Sequence, residues 1–260
     1  MSPTQRDDVF ASARVVAIFA AALALVGLGA LNLAFGDTLL QWQPAPEGAR
    51  WHVTLGYVSG VILIAAGAGL FVPRLRRAMG LVAALWIAAW AIGLHLPLVI
   101  AQHGSIAALN GLAENVAMAS GLATFAVPVG DARWVRLLRI AFGLCCITFG
   151  TAHFAYADFT AQMVPAWLPA RLALAYLTGA IHFGTGLCLV LGLVPRIAAA
   201  VEGAMMASFV LLVHVPRVAA APGNRLELTM LGIALLLTAS AWLVASVPPP
   251  TKRNFLSMFR

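Results

Sequence analysis

Apolar residues along this chain come in long unbroken runs joined by short polar segments, without the strict alternation of a half-buried strand. Runs of about 17–25 residues suit helices that cross a bilayer. Eight such runs can be drawn, at 15–35, 52–72, 78–101, 109–127, 140–157, 172–193, 197–215 and 226–246. The longest polar stretch, Gly36 to Arg50, is too short for a soluble domain. The pattern therefore predicts an all-α polytopic membrane protein with eight transmembrane helices. The first run, Val15 to Phe35, exceeds the roughly 7–15 apolar residues of a signal-peptide core, so it is read as a retained span.

The two halves of the chain can be laid over each other. Gly29, Asn32, Asp37 and Pro44 stand 121 positions before Gly150, His153, Asp158 and Pro165. Beyond a two-residue slip, Tyr57, Gly60, Gly67, His95 and Pro97 stand 119 positions before Tyr176, Gly179, Gly186, His214 and Pro216. Such matches at nearly constant offset predict a tandem duplication of a four-helix unit, residues 1–130 and 131–260. An even number of spans per unit gives both units one orientation, hence two parallel repeats about an axis along the membrane normal, with sites expected between the halves.

Charge orients the chain. With the N-terminus inside, twelve of the sixteen basic residues fall on the inner side (Arg6, Arg14, Arg74, Arg76, Arg77, Arg133, Arg136, Arg139, Arg196, Lys252, Arg253 and Arg260) and four on the outer (Arg50, Arg171, Arg217 and Arg225). This bias predicts that both termini are cytoplasmic. Hydrophobic residues make up 62% of the chain and charged ones only 10%, against about 25% charged in soluble domains. The net charge of +7 is accounted for by loop arginines facing anionic headgroups, so the lipid bilayer is the expected partner and nucleic acid is not.

Ionisable groups inside spans are costly in hydrocarbon and therefore carry functional weight. They concentrate in the second half, which has His153, His182, Glu202 and Glu227 where the first half has Asn32, Leu63, Ala83 and Asn115. His153, Asp158, His214 and Glu227 are expected in one outer layer, where a His beside a carboxylate would relay protons or hold a polar headgroup, or would simply cap helix ends. His182 is expected near midplane and Glu202 nearer the cytoplasmic side. They read either as steps of a proton path, or as an interhelical hydrogen bond and a snorkelling carboxylate satisfied by Arg196. Tyr176, three residues before Gly179, is an aromatic anchor beside a close helix contact and the seventh binding candidate. Glu114 reads as interfacial. Cys145, Cys146 and Cys188 form no C-x-x-C and read as small apolar filler. No His/Cys cluster has zinc or haem spacing, so no metal site is expected, and no P-loop, G-x-G-x-x-G or G-x-S-x-G occurs.

Several short motifs recur in order across residues 139 to 246: Gly150-Thr151-Ala152-His153-Phe154, Pro165-Ala166-Trp167-Leu168-Pro169, Tyr176-Leu177-Thr178-Gly179, Arg196-Ile197-Ala198-Ala199 and His214-Val215-Pro216. In these the second half resembles the DoxX-like membrane proteins, which include the DoxD type. The first half is a degenerate copy that keeps Tyr57, Gly60, His95 and Pro97 but lacks the His-Phe pair. The resemblance implies a bacterial inner-membrane protein and, through the DoxD branch, a membrane subunit of a quinone-linked redox system. Quinone would be its cofactor, and flavin, metal or thiol chemistry would belong to a redox partner protein. A non-enzymatic scaffold, a lipid-binding protein or a small-solute transporter is the alternative.

Overall fold

The computed structural model describes residues 3–247 except 40, 41, 47, 129 and 130, so Lys252, Arg253 and Arg260 lie outside the described residues, as does the side chain of Arg6. The described residues are helical, with no strand. The helices are α1 (Pro3–Phe35), α2 (His52–Phe71), α3 (Arg76–Ala101), α4 (Ile106–Ala123), α5 (Ala132–Ala155), α6 (Ala157–Met163), α7 (Arg171–Leu191), α8 (Pro195–Ala220) and α9 (Arg225–Ser246).

Seven of the eight expected segments are long and apolar enough to cross a membrane. The other is α4, of 18 residues, in which Asn110, Glu114 and Asn115 lower the apolar content. Large apolar side chains on the outer faces of the bundle, among them Leu85, Ile92, Leu144 and Leu211, are exposed, a surface suited to lipid tails rather than water. The expected starts move most at α1, which begins at Pro3, and at α5, which begins at Ala132 because Asp131 caps it, accepting from the N–H groups of Arg133 and Trp134 at 3.1 and 3.3 Å.

Helices α3 and α8 share an irregularity. Each opens into a π turn, Ala91–His95 and Val210–His214, that ends two residues before Pro97 or Pro216. A proline ring clashes with the carbonyl four residues back, and widening the turn relieves the clash while the helix continues. The widened turn ends on a histidine in both cases, and both histidines are buried.

Each long helix packs against the next, and α9 returns to α1, so the eight close into a ring with α4 and α9 also touching across its middle. At that central contact Gly121 faces Ser240: a Cβ added to Gly121 would lie 2.3 Å from the Ser240 Cβ. These two residues are themselves 119 positions apart. Two closely packed helix pairs also stand in register, since a Cβ on Gly29 would meet the Gly60 carbonyl at 2.7 Å and one on Gly150 the Gly179 carbonyl at 2.7 Å.

At one end of the ring, arginines complete the C-terminus of α9. Arg14 donates to Ser246 Oγ at 3.1 Å, Arg139 to the Val247 carbonyl at 2.9 Å and Arg196 to the Ala245 carbonyl at 3.2 Å. Helix C-termini leave carbonyls unpaired and carry negative partial charge, so cations there satisfy both needs.

Candidate functional site

The most deeply buried ionisable pair is His182 with Glu202, 2% and 0% exposed. His182 lies midway along α7 and Glu202 two turns into α8, and His182 Nδ1 donates to Glu202 Oε1 at 2.5 Å. Thr185, one turn beyond His182 on the same face of α7, donates from its hydroxyl to Glu202 Oε2 at 2.5 Å. Glu202 is thus held by two donors and is no snorkelling group. The expected partner Arg196 turns instead to Asp7, at 2.7 Å, and stacks over the Phe10 ring. Burying a carboxylate in hydrocarbon is tolerable only with such pairing, and here the histidine supplies it from the adjacent helix.

His153 joins the pair from α5. Its ring centroid lies 4.8 Å from that of His182, and Phe209 stacks on it at 6.2 Å and 20°. The expected separation in depth between His153 and His182 does not exist, because α5 and α7 pack closely enough at Gly150 and Gly179 to bring the two rings together. His153 Nδ1 faces the Phe149 carbonyl at 2.9 Å. A carbonyl only accepts, so Nδ1 carries the proton there, and the neutral ring keeps an acceptor lone pair at Nε2. The same reasoning leaves Nε2 of His182 as an acceptor when its Nδ1–H is given to Glu202.

Beside these rings lies a cavity of about 140 Å³, bounded by α4, α5, α7, α8 and α9 and lined by His153, His182, His214, Glu114, Phe149 and Phe209 among others. His214 enters from the π turn of α8, is 8% exposed, and its Nδ1 is buried without a hydrogen-bond partner. Glu114 accepts from Asn110 Nδ2 at 2.9 Å. Since α4 belongs to the first half of the chain, the cavity draws on both halves.

Of the seven candidate residues, His153, His182, Glu202 and His214 come together. The other three do not join them. Asp158 is exposed on the short helix α6, and Tyr176 is exposed and stacks on Phe154 with ring centroids 6.3 Å apart. Glu227 makes a two-pronged ion pair with Arg217 at 2.7 and 2.8 Å. The expected outer layer of four residues therefore reduces to His153 and His214, because Arg217 reaches back along the surface to hold Glu227. Sequence reasoning missed Asn110, Glu114 and Thr185. For Glu114 and Asn110 the spacing of four on one helix face was the available signal. The helix starts Ile106 and Arg225, 119 apart, set Glu227 against Ala108 rather than Asn115.

The corresponding region of the first half is filled. Leu28, Leu63, Ile87 and Met118, which stand 121 or 119 positions before the cavity-lining Phe149, His182, Met206 and Leu237, form one packed cluster with Trp42, which is 0% exposed. Trp42 comes from the loop between α1 and α2. Its carbonyl accepts from His95 Nε2 at 2.9 Å, and the neighbouring Gln43 Oε1 accepts from Asn32 Nδ2 at 2.9 Å. Gln43 Nε2 in turn donates to Ser59 Oγ at 2.7 Å.

This loop is tied down at Asp37, whose carboxylate meets His52 at 2.5 Å, the Thr38 N–H at 2.6 Å and Arg225 at 3.4 Å. Arg225 also donates to the Thr38 carbonyl. Burial alone pushes the Asp37 carboxyl up, but the hydrogen bonds from His52 and Thr38 and the charges of His52 and Arg225 outweigh it, holding the group below the usual carboxylate value.

Among the described residues no group of three or more His, Cys, Asp or Glu is arranged to hold a metal ion. No curated protein and no solved structure matches the chain. Residues 135–215 match the family model described as DoxX. That segment runs from the first turn of α5 to the histidine of the second π turn and includes His153, His182, Glu202 and His214. The chain thus carries a segment similar to the DoxX family within a set of helices long and apolar enough to cross a membrane.

Proposed function

We propose that the chain is a quinone-interacting membrane subunit of a redox system, and that the cavity beside His153, His182 and His214 is its quinone site. The observation that carries this reading is a pocket among the helices that is mostly apolar yet lined by three histidines, one of them backed by a buried carboxylate. A mostly apolar pocket with a few convergent polar groups suits a small planar molecule, and about 140 Å³ is close to an engineered cavity of about 150 Å³ that admits benzene. A quinone ring fits the residues present: its faces would meet Phe149 and Phe209, and its carbonyls need a donor, which His214, whose Nδ1 has no partner, would supply in the tautomer protonated there.

When bound, a quinone supplies reversible two-electron, two-proton chemistry. The chain would hold and move the protons. Glu202 orients His182 through Nδ1, leaving Nε2 to take up or release a proton, as a carboxylate does for the histidine of a catalytic triad. The hydrogen bonds from His182 and Thr185 keep the negative charge of Glu202 tolerable. Electrons would pass to or from a redox partner protein.

The duplication belongs to the same proposal. It is supported by the two π turns at a spacing of 119, by the paired Gly29–Gly60 and Gly150–Gly179 contacts, and by Gly121 meeting Ser240. Residues brought together with their own equivalents mark a two-fold axis, as at an isologous dimer contact. On this reading α4 is the eighth span, stabilised by its place inside the ring, both termini face the cytoplasm of a bacterial inner membrane, and the cavity lies where the two units meet.

The test is lipid extraction of protein purified from a quinone-containing membrane. Quinone retained above the level of the surrounding lipid, and lost in a His182→Leu variant that still folds, is expected. Equal quinone content in both preparations would leave the non-enzymatic reading, in which His182 and Glu202 serve only to join α7 to α8.

A further inference from the structure

The first half holds an occupant of its own in the place that is open in the second. Trp42 lies among Leu28, Leu63, Ile87 and Met118, whose equivalents Phe149, His182, Met206 and Leu237 line the cavity. It presents a flat ring to that cluster and a carbonyl to His95, the equivalent of His214. The adjoining Gln43 presents a second acceptor to Asn32, the equivalent of His153. In the second half neither acceptor has a counterpart. His214 Nδ1 is buried without a partner, and the tryptophan of the corresponding loop, Trp167, is 72% exposed.

We propose that the loop segment Trp42–Gln43 is a tethered stand-in for the ligand, and that the second-half cavity binds a single flat ring bearing a carbonyl, oriented by a hydrogen bond from His214 as the Trp42 carbonyl is held by His95. This rests on the reading of the cavity as a ligand site and goes further, assigning what docks, by which residue, and how many sites the chain has. In the first half His95 Nε2 finds its acceptor in the Trp42 carbonyl. In the second, His214 Nδ1 is buried without a partner, and since either nitrogen of a neutral imidazole can carry the proton, the ring is left to be satisfied from outside. A ring lacking the carbonyl would fill the space but leave His214 unsatisfied, so discrimination should come from the carbonyl rather than from the ring.

Chemistry at the second acceptor differs between the halves. Asn32 donates to Gln43, whereas His153, with Nδ1 committed to Phe149, offers an acceptor when neutral and a donor when protonated. The second site therefore accommodates a carbonyl or a hydroxyl there, a freedom that a tethered occupant does not need.

Duroquinone and durene share a tetramethylbenzene ring and differ by the two carbonyls, so the pair tests the idea on the unaltered protein. The full chain in phosphatidylcholine nanodiscs should bind one duroquinone, with durene at least about tenfold weaker, a difference of about 1.4 kcal/mol. His214→Phe should reduce duroquinone affinity to the durene level, and His214→Asn, which keeps a donor, should recover most of it. Equal binding of the two ligands, two duroquinones per chain, or unchanged affinity in a folded His214→Phe protein would overturn the docking assigned here while leaving quinone binding intact. Binding of neither ligand would overturn this inference and the quinone reading together.

Discussion

The two loops that follow the first helix of each half have opposite fates. In the first half Trp42 and Gln43 are drawn into the bundle and bonded to His95 and Asn32; in the second, Trp167 points outward and the space beside His153 and His214 stays open. The difference shows how one architecture serves two ends. Where the loop closes the pocket, leucine and alanine suffice at positions 63 and 83. Where it does not, His182 and Glu202 occupy the equivalent positions. Ionisable groups thus stand beside the open pocket and apolar ones beside the filled one, as the cost of burying charge in hydrocarbon leads one to expect.

The largest expected effect tests the loops directly. Trp42→Ala should cost about 3–5 kcal/mol, the range for emptying a large aromatic site, whereas Trp167→Ala should stay within about 0.5 kcal/mol as an exposed substitution. Unfolding midpoints of the two variants in one detergent would check this, and similar losses would show that the second loop is also packed in. At the central contact, Gly121→Val should cost about 3 kcal/mol because Ser240 leaves no room for a Cβ. Ser240→Ala, losing only a 3.4 Å hydrogen bond to the Met118 carbonyl, should cost no more than about 1 kcal/mol in the same assay.

A third pair of variants turns the second half towards the first. Glu202→Ala alone strands the buried N–H of His182, while the Thr185 hydroxyl keeps the Ile181 and His182 carbonyls as acceptors, and should cost about 2–3 kcal/mol. The double variant His182→Leu/Glu202→Ala, which copies Leu63 and Ala83, should recover most of that loss, since replacing both members of a buried pair is often near neutral. A double variant as unstable as the single one would mean that the pair is needed for folding itself.

The smallest effect concerns pH. Asp37 is held below the usual carboxylate value in the folded chain, so its contribution to stability is complete above that value and is lost as pH falls through it towards the lowered one. A melting series across this acid range should show a slope that Asp37→Asn removes. Asp158, at the equivalent position but exposed on α6, should leave the slope unchanged when replaced by Asn.

Much of the site could be read from residue type alone. His153, His182, Glu202 and His214 stand out because ionisable groups are rare in apolar runs, and all four converge. The same criterion also selected Glu227 and Asp158, which do not. Asp158 is exposed on α6 and Glu227, mostly buried, is held by Arg217, and neither outcome could be inferred from position near a helix end. Glu114 was set aside as interfacial for the converse reason. Its helix lies against α5 and α9, and only that contact turns its carboxylate toward the cavity.

By itself the sequence determined the helices. Hydrocarbon admits few backbone structures besides the helix, and apolar length sets where each one runs. The spacing of 119 that recurs in the two π turns is likewise visible in the residue numbers of His95, Pro97, His214 and Pro216. Tertiary packing alone decided which pocket is filled and which is open. That outcome depends on a loop folding back across a helix bundle, on hydrogen bonds between residues as far apart as Trp42 and His95, and on a carboxylate from one half reaching a cavity built largely by the other. None of these leaves a periodic trace along the chain, because each depends on distances that arise only once the ring of helices has closed.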